Sequence, residues 1–279
     1  MSGARSMVTW SWWPPAARRR ECRGLGGPSV VSPPAFTLVE LLVVVGLITI
    51  VIALLLPGLA KARREAQRVA CLSNLRQIGA AFIGYAHDSK GWFPAPANGF
   101  SPPHAEDWVH WQPGRDITES RLYRYLGNSV EVLKCPAGPP ERLRADGRPP
   151  YPFNYSVNSR FTGESGSLVF GAAGAWSVPP CNLSQVVSAS EKILVIDEDV
   201  VGINDGTWMA GMGEAPDARV SSVSVRHDKG REYGDWGIDP AYHWRGRGNV
   251  AFADGHCDFV DRLKLLQQQY VDPTYRGTY

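Results

Sequence analysis

Residues 36–56 read FTLVELLVVVGLITIVIALLL and carry a single charge, Glu40. At about 1.5 Å per residue such a run makes a helix of roughly 31 Å, which matches a bilayer hydrocarbon core of about 30 Å. An ordinary secretory signal has a shorter apolar core, about 7–15 residues, ahead of a small-residue cleavage site. Here the run is longer and is followed by Pro57-Gly58 and a basic amphipathic segment. A membrane span is therefore preferred over a signal core or a buried core helix.

An ionisable group inside an apolar span is expensive and calls for a named partner. Ser32, Pro33, Pro34 and Ala35 precede the run, and a residue before proline is pushed out of the α region. The helix is thus expected to begin near Phe36, with Glu40 in its first turns. The helix dipole favours a carboxylate there, but a dipole alone does not account for a charge at membrane depth.

The order of features is a basic leader, Ala35, the pentapeptide Phe36-Thr37-Leu38-Val39-Glu40, and then the unbroken apolar run. It resembles the class III signal of type IV pilins and type II secretion pseudopilins. The resemblance implies that prepilin peptidase cuts between Ala35 and Phe36 and that the new Phe36 amine is methylated. It also implies that Glu40 meets the α-amine of a neighbouring pilin or pseudopilin subunit in a fibre. Such a pairing would offset the burial of both charges, since an unpaired buried ion costs several kcal/mol. Ala35 stands where the family usually has Gly, and cleavage is expected to survive the change.

Length sets the remaining scale. Removing residues 1–35 leaves 244, and the stretch beyond the span and its stem is long enough for one domain with a real core. The formal charge of the chain is +2, but Arg5, Arg18, Arg19, Arg20 and Arg23 against Glu21 put +4 in the leader. The processed chain would carry -2, which gives no electrostatic footprint for nucleic acid. Basic residues flank the span on both sides, Arg18, Arg19, Arg20 and Arg23 before it and Lys61, Arg63, Arg64 and Arg68 after it. Charge counting therefore leaves orientation open. The resemblance implies an inner-membrane, single-pass chain with its leader in the cytoplasm and its bulk periplasmic or in an extracytoplasmic pseudopilus.

Pro57-Gly58 predicts a kink or short break in the helix. Leu59, Ala62, Ala66, Val69, Leu72, Leu75, Ile78, Phe82 and Tyr85 succeed it at steps of three and four, an amphipathic stripe that should pack on the domain. Residues 71–94, CLSNLRQIGAAFIGYAHDSKGWFP, resemble a bacterial branch of pseudopilin-like proteins in which C-x-x-N-L-R-Q-I-G leads from helix to domain. Beyond Trp92 the chain is proline-rich and loop-heavy. A short helix is expected over 120–126, closed by Gly127-Asn128, and a brief strand over 132–136. Strands are predicted at 154–158 and, from its β-branched run, at 192–197. Asn249 to Ala253 and His256 to Val260 flank Asp254-Gly255, which predicts a hairpin with a two-residue turn. In that register Phe252 faces Cys257, and Val250, Phe252, Cys257 and Phe259 share one apolar face.

Arg226-His227 and residues 248–256, GNVAFADGH, resemble the H-X9-DG signature that accompanies the prepilin-type N-terminus in this branch. The resemblance marks Arg226, His227, Asp254, Gly255 and His256. The spacing departs from the usual one, since ten residues separate His243 from Asp254 and 26 separate His227 from it. One reading gathers His227, Asp254 and His256 around a metal or in acid-base chemistry. The other, preferred, is that Asp254-Gly255 is the turn itself, which needs those residues on steric grounds. Asp197, Glu198, Asp199, Asn204 and Asp205 form an acidic loop; calcium, held through Asp197, Asp199 and Asp205, is the one cofactor considered. The cysteines left after cleavage, Cys71, Cys135, Cys181 and Cys257, lack metal-ligand spacing of the C-x-x-C kind. They are read as buried thiols or as one bridge, with Cys71 to Cys135 the first pairing.

These readings combine into an α+β fold: a long N-terminal helix, membrane-spanning in its first half, packed on a small antiparallel sheet domain with long loops. The resemblance implies that the fold is pilin-like. The expected divisions are a leader over 1–35, a span over 36–56, a helical stem over 57–91 and a domain over 92–279. No catalytic residue is assigned. The expected function is a structural subunit of a pilus or type II secretion pseudopilus, with prepilin peptidase, sister subunits and the inner membrane as partners. The alternative is a membrane-tethered periplasmic carbohydrate- or metal-binding module or enzyme, its ligand on a tryptophan-rich face that includes Trp92, Trp108, Trp111, Trp176, Trp208, Trp236 and Trp244.

Overall fold

A computed structural model describes residues 36–97, 99, 102–138, 151–167, 175–199, 203, 205–208, 223–228 and 246–277. The chain divides into two units, residues 1–52 and 53–279.

The apolar run forms the start of helix α1, Leu38–Asp88. It begins two residues later than expected because Thr37 closes it. The Thr37 backbone N–H and hydroxyl donate to Glu40 Oε2 at 2.9 and 2.8 Å, and Glu40 N donates to Thr37 Oγ1 at 3.2 Å. This reciprocal pair is a capping box. In the first unit the apolar side chains are exposed, Leu42 at 66% and Ile50 at 60% among them. The helix is long and apolar enough to cross a membrane, and no part of its most apolar stretch is buried among the described residues. The expected break at Pro57 is absent, since Pro57 lies inside continuous helix. A proline removes one ladder donor, a loss that a long helix can absorb where neighbouring turns hold.

In the second unit α1 ends at Asp88, with Gly91 N donating to Ala86 O at 2.8 Å and Lys90 and Gly91 at positive φ. Its buried face runs through Cys71, Leu75, Ile78, Gly79, Ala81, Phe82 and Ala86. The upstream part of the predicted stripe is uncovered: Leu59 and Val69 are 66% and 58% exposed.

The described strands are β1 (Tyr155–Asn158), β2 (Glu164–Ser167), β3 (Ala175–Val178), β4 (Ile193–Asp197), β5 (Thr207–Trp208), β6 (Arg247–Phe252) and β7 (Cys257–Asp261). Five of them make the sheet on which the buried face of α1 packs, in the order β5-β1-β4-β6-β7. β2 and β3 form a separate antiparallel pair. The large sheet is mixed, not antiparallel throughout, because β1 runs parallel to β5. Tyr155, Val157, Leu194, Val195, Ala251 and Ala253 join α1 in one core. Ile193, Ile196, Val250, Phe252 and Val260 join Trp208, Val223, Leu265 and Val271 on the other face. Neighbouring Leu194 and Val195 fall on the same side because the β4 register shifts there, the signature of a bulge. Helix and sheet meet closely at Gly79, where a Cβ would lie in van der Waals contact, 3.4 Å, with the Ala251 Cβ.

The C-terminal hairpin forms, one residue out of the predicted register. Ala251 pairs with Cys257 and Val250 with Asp258, while Phe252 N donates to His256 O at 2.9 Å. The loop is therefore three residues, with Gly255 at φ +90° supplying the left-handed position such a loop needs. A one-residue slip turns every β7 side chain over. Cys257 joins Ala251 beside α1, and the single apolar face predicted for Val250, Phe252, Cys257 and Phe259 does not exist. Two local expectations also change. Over 120–126 only Tyr123–Leu126 is helical, as a 3-10 turn closed by left-handed Gly127. Residues 132–136 are not a strand but overlap and extend a 3-10 turn, Glu131–Leu133.

Candidate functional site

Four side chains from four separate segments meet on the α1 side of the sheet: Cys71, Cys135, Asp197 and His227. Cys71 lies on the buried face of α1. Asp197 ends β4, directly opposite Tyr155 of β1. Cys135 comes just after the Glu131–Leu133 turn, and its N–H donates to the Asn154 side chain at 2.8 Å. His227 sits in a turn closed by Asp228 N donating to Val225 O at 2.8 Å, and Ser224 N donates to Asp197 O at 2.6 Å.

The ligand-type atoms of the four lie within 4.8 Å of one another. The Cys71 thiol donates to Asp197 Oδ2 at 3.3 Å, His227 Nε2 is 3.2 Å from Cys135 Sγ, and the same nitrogen is 3.5 Å from Asp197 Oδ2. Tyr155 Oη donates to Cys71 Sγ at 3.5 Å. Arg226 Nη1 stands 3.6 Å from Asp197 Oδ1, and its other nitrogens donate to Ser224 Oγ and Glu198 O. The four side chains are withdrawn from solvent: Asp197 is 0% exposed and His227 1%, Cys71 0% and Cys135 5%, although His227 as a whole residue is only half-buried.

The C-x-x-N spacing now has a physical meaning. Cys71 and Asn74 are one turn apart on α1, so both face the segment around Cys135. Asn74 Nδ2 donates to Lys134 O at 2.9 Å while Cys71 enters the cluster.

The electrostatics arise from burial and crowding. Burial pushes the Cys71 thiol well above its ordinary value, with Cys135 and Asp197 adding to the rise. The neighbouring Cys71 thiol, aided by His227 and Arg226, brings Cys135 down to about 6 against the cost of burial. Burial alone would lower His227, but its hydrogen bonds with Asp197 and Cys135 outweigh that and raise it to about 9. The set can bind a soft divalent cation, or the two thiols can be oxidised together. The bridge named first from the sequence is not formed, for Cys71, Cys135, Cys181 and Cys257 are free thiols.

The other sequence-marked residues lie elsewhere. Asp254 and His256 pair with each other at the exposed hairpin end, Nδ1 to Oδ1 2.5 Å, and the His256 ring stacks on Phe252. They do not gather with His227. Asp197, Asp199 and Asp205 do not form one ligand group among the described residues. Arg262 Nη2 donates to Asp199 Oδ2 at 2.7 Å, and Asp205 accepts from Gly99 N and from Thr207 N and Oγ1. Trp108 and Trp208 are buried core residues, while Trp92 is 46% exposed. Ala35, His243, Asn204, Trp236 and Trp244 lie outside the described residues, as does the Trp176 side chain.

Sequence reasoning missed two arrangements. Spacing could not show the four-residue cluster, because its members stand 30 or more positions apart. The Thr37-x-x-Glu40 capping box, by contrast, is legible as a motif. No family model, curated protein or solved structure matches the chain.

Proposed function

We propose that this chain is a pseudopilin-like structural subunit. In this reading prepilin peptidase cleaves it between Ala35 and Phe36, the Phe36 amine is methylated, and α1 holds it in the inner membrane with the sheet domain on the extracytoplasmic side. It then packs through α1 into a pilus or secretion pseudopilus. The observation that carries this reading is a helix whose apolar first half finds no cover among the described residues and which bears one carboxylate in its first turn. Such a surface calls for lipid or for the same helix of a sister subunit.

Glu40 already has an intramolecular role as the partner of Thr37, so the decisive substitution separates charge from capping. Glu40→Gln keeps a capping-box acceptor and removes the anion that an incoming ammonium would need. Membrane insertion is expected to be unchanged and fibre incorporation to be lost. Normal incorporation of Glu40→Gln would overturn the reading. Intact-mass measurement of the membrane form gives a second check: a start at Phe36 with one added methyl group is expected, and a retained leader opposes it.

The tethered glycan-binding alternative has less support. It needs a platform of exposed rings, and Trp108 and Trp208 are committed to the core.

A further inference from the structure

We propose that Cys71, Cys135, Asp197 and His227 form a structural zinc site that fastens α1 to the sheet domain. The proposal stands independently of the assembly reading, because it concerns the second unit alone.

The donor set fits the metal. Zinc takes thiolate, imidazole and carboxylate ligands at about 2.0–2.3 Å in tetrahedral array, so neighbouring ligand atoms should stand about 3.3–3.8 Å apart. Of the six separations, those linking His227 to Cys135, His227 to Asp197 and Cys71 to Asp197 are 3.2, 3.5 and 3.3 Å, close to that range, and the other three lie within 4.8 Å. Two sulfurs make the set too soft for calcium or magnesium, which prefer all-oxygen cages.

Charge balance also favours the ion. Without metal the four groups carry a net charge of -1, whether the protons sit on both thiols or on one thiol and the imidazole. One zinc ion bound by two thiolates, a carboxylate and a neutral imidazole leaves the same -1 and releases two protons. The net buried charge facing Arg226 is therefore unchanged on binding, and the cost of dehydrating the ion is offset by the four ligand bonds. No atom changes oxidation state.

Four protein ligands with buried side chains leave no open position for water or substrate, which marks the site as structural rather than catalytic. The surroundings supply the outer contacts that orient ligands: Tyr155 Oη on Cys71 Sγ and Arg226 on Asp197 Oδ1.

The test uses the full chain, purified in detergent under reducing conditions without chelator, then exposed to zinc and desalted. One zinc per chain is expected by elemental analysis. Cobalt substitution should give a thiolate-to-metal charge-transfer band and the visible bands of tetrahedral cobalt. Cys135→Ser and His227→Gln should each weaken zinc binding by more than the about 10–100-fold that loss of an outer contact costs. Cys181→Ser and Cys257→Ser should bind as the parent does. Circular dichroism separates loss of a ligand from loss of fold, and if Cys135→Ser does not fold, His227→Gln carries the test. Three results would each overturn the proposal: absence of stoichiometric metal in the folded parent, undiminished binding by His227→Gln, or a Cys71–Cys135 disulfide in the chain as isolated from its membrane.

Discussion

Asp254, at the exposed end of the hairpin, stands between two opposing influences. Partial burial pulls its pKa up, but hydrogen bonds from the His256 backbone and ring outweigh that and leave it below the ordinary 3.8. A depressed carboxylate contributes stability that is fully present above its unfolded value and is lost as pH falls through the folded one. Urea unfolding followed from pH 5 downward, a range of about two to three units, should therefore show a smaller acid loss in Asp254→Asn than in the parent. Asparagine keeps the turn and the backbone hydrogen bond, so only the charge is tested. The turn residues Asp254 and Gly255 were legible in the sequence because steric demand selects them. The partners of Asp197 and Asp199 were not, because Arg226 and Arg262 arrive from distant segments. Two of the carboxylates in that loop, Asp197 and Asp199, are each faced by a buried guanidinium group.

At the level of elements, β1, β4 and the hairpin were visible through β-branched and alternating residues. What escaped was register. A two-residue and a three-residue loop differ by one position around the same Asp-Gly, and only the packing of Cys257 against α1 decides between them. The β4 bulge, which puts Leu194 and Val195 in the same core as α1, likewise has no signal in the strand's own residue pattern. Gly248 of β6 offers a sharp test of this packing. A Cβ there would come within 2.4 Å of Ser224 O and of the Val223 side chain, and backbone cannot yield as a flexible side chain can. Gly248→Ala should destabilise the domain by about 1–3 kcal/mol, measured by denaturant unfolding. It should also weaken zinc binding, because the displaced segment carries His227.

For the molecule as a whole, composition alone announced a membrane-compatible helix and a domain with its own core, and the structure holds both. The chain is expected to partition into the detergent phase on phase separation and to precipitate when detergent is removed; a chain that remained monodisperse in plain buffer would contradict the span. The α+β class was legible because the periodicity changes from three-four to two along the sequence. The four-residue cluster was hidden because it is a property of topology, joining residue 71 to residue 227 through two intervening segments. That wide separation bears on how the protein matures. Contacts between distant positions close late, after the chain-entropy cost of the loops has been met. Until β4 has docked on α1, Cys71 and Cys135 are open to any oxidant in the surroundings. Arrival of the ion and oxidation of the sulfurs are then rivals in time, and the order in which the segments come together settles which of them captures the pair.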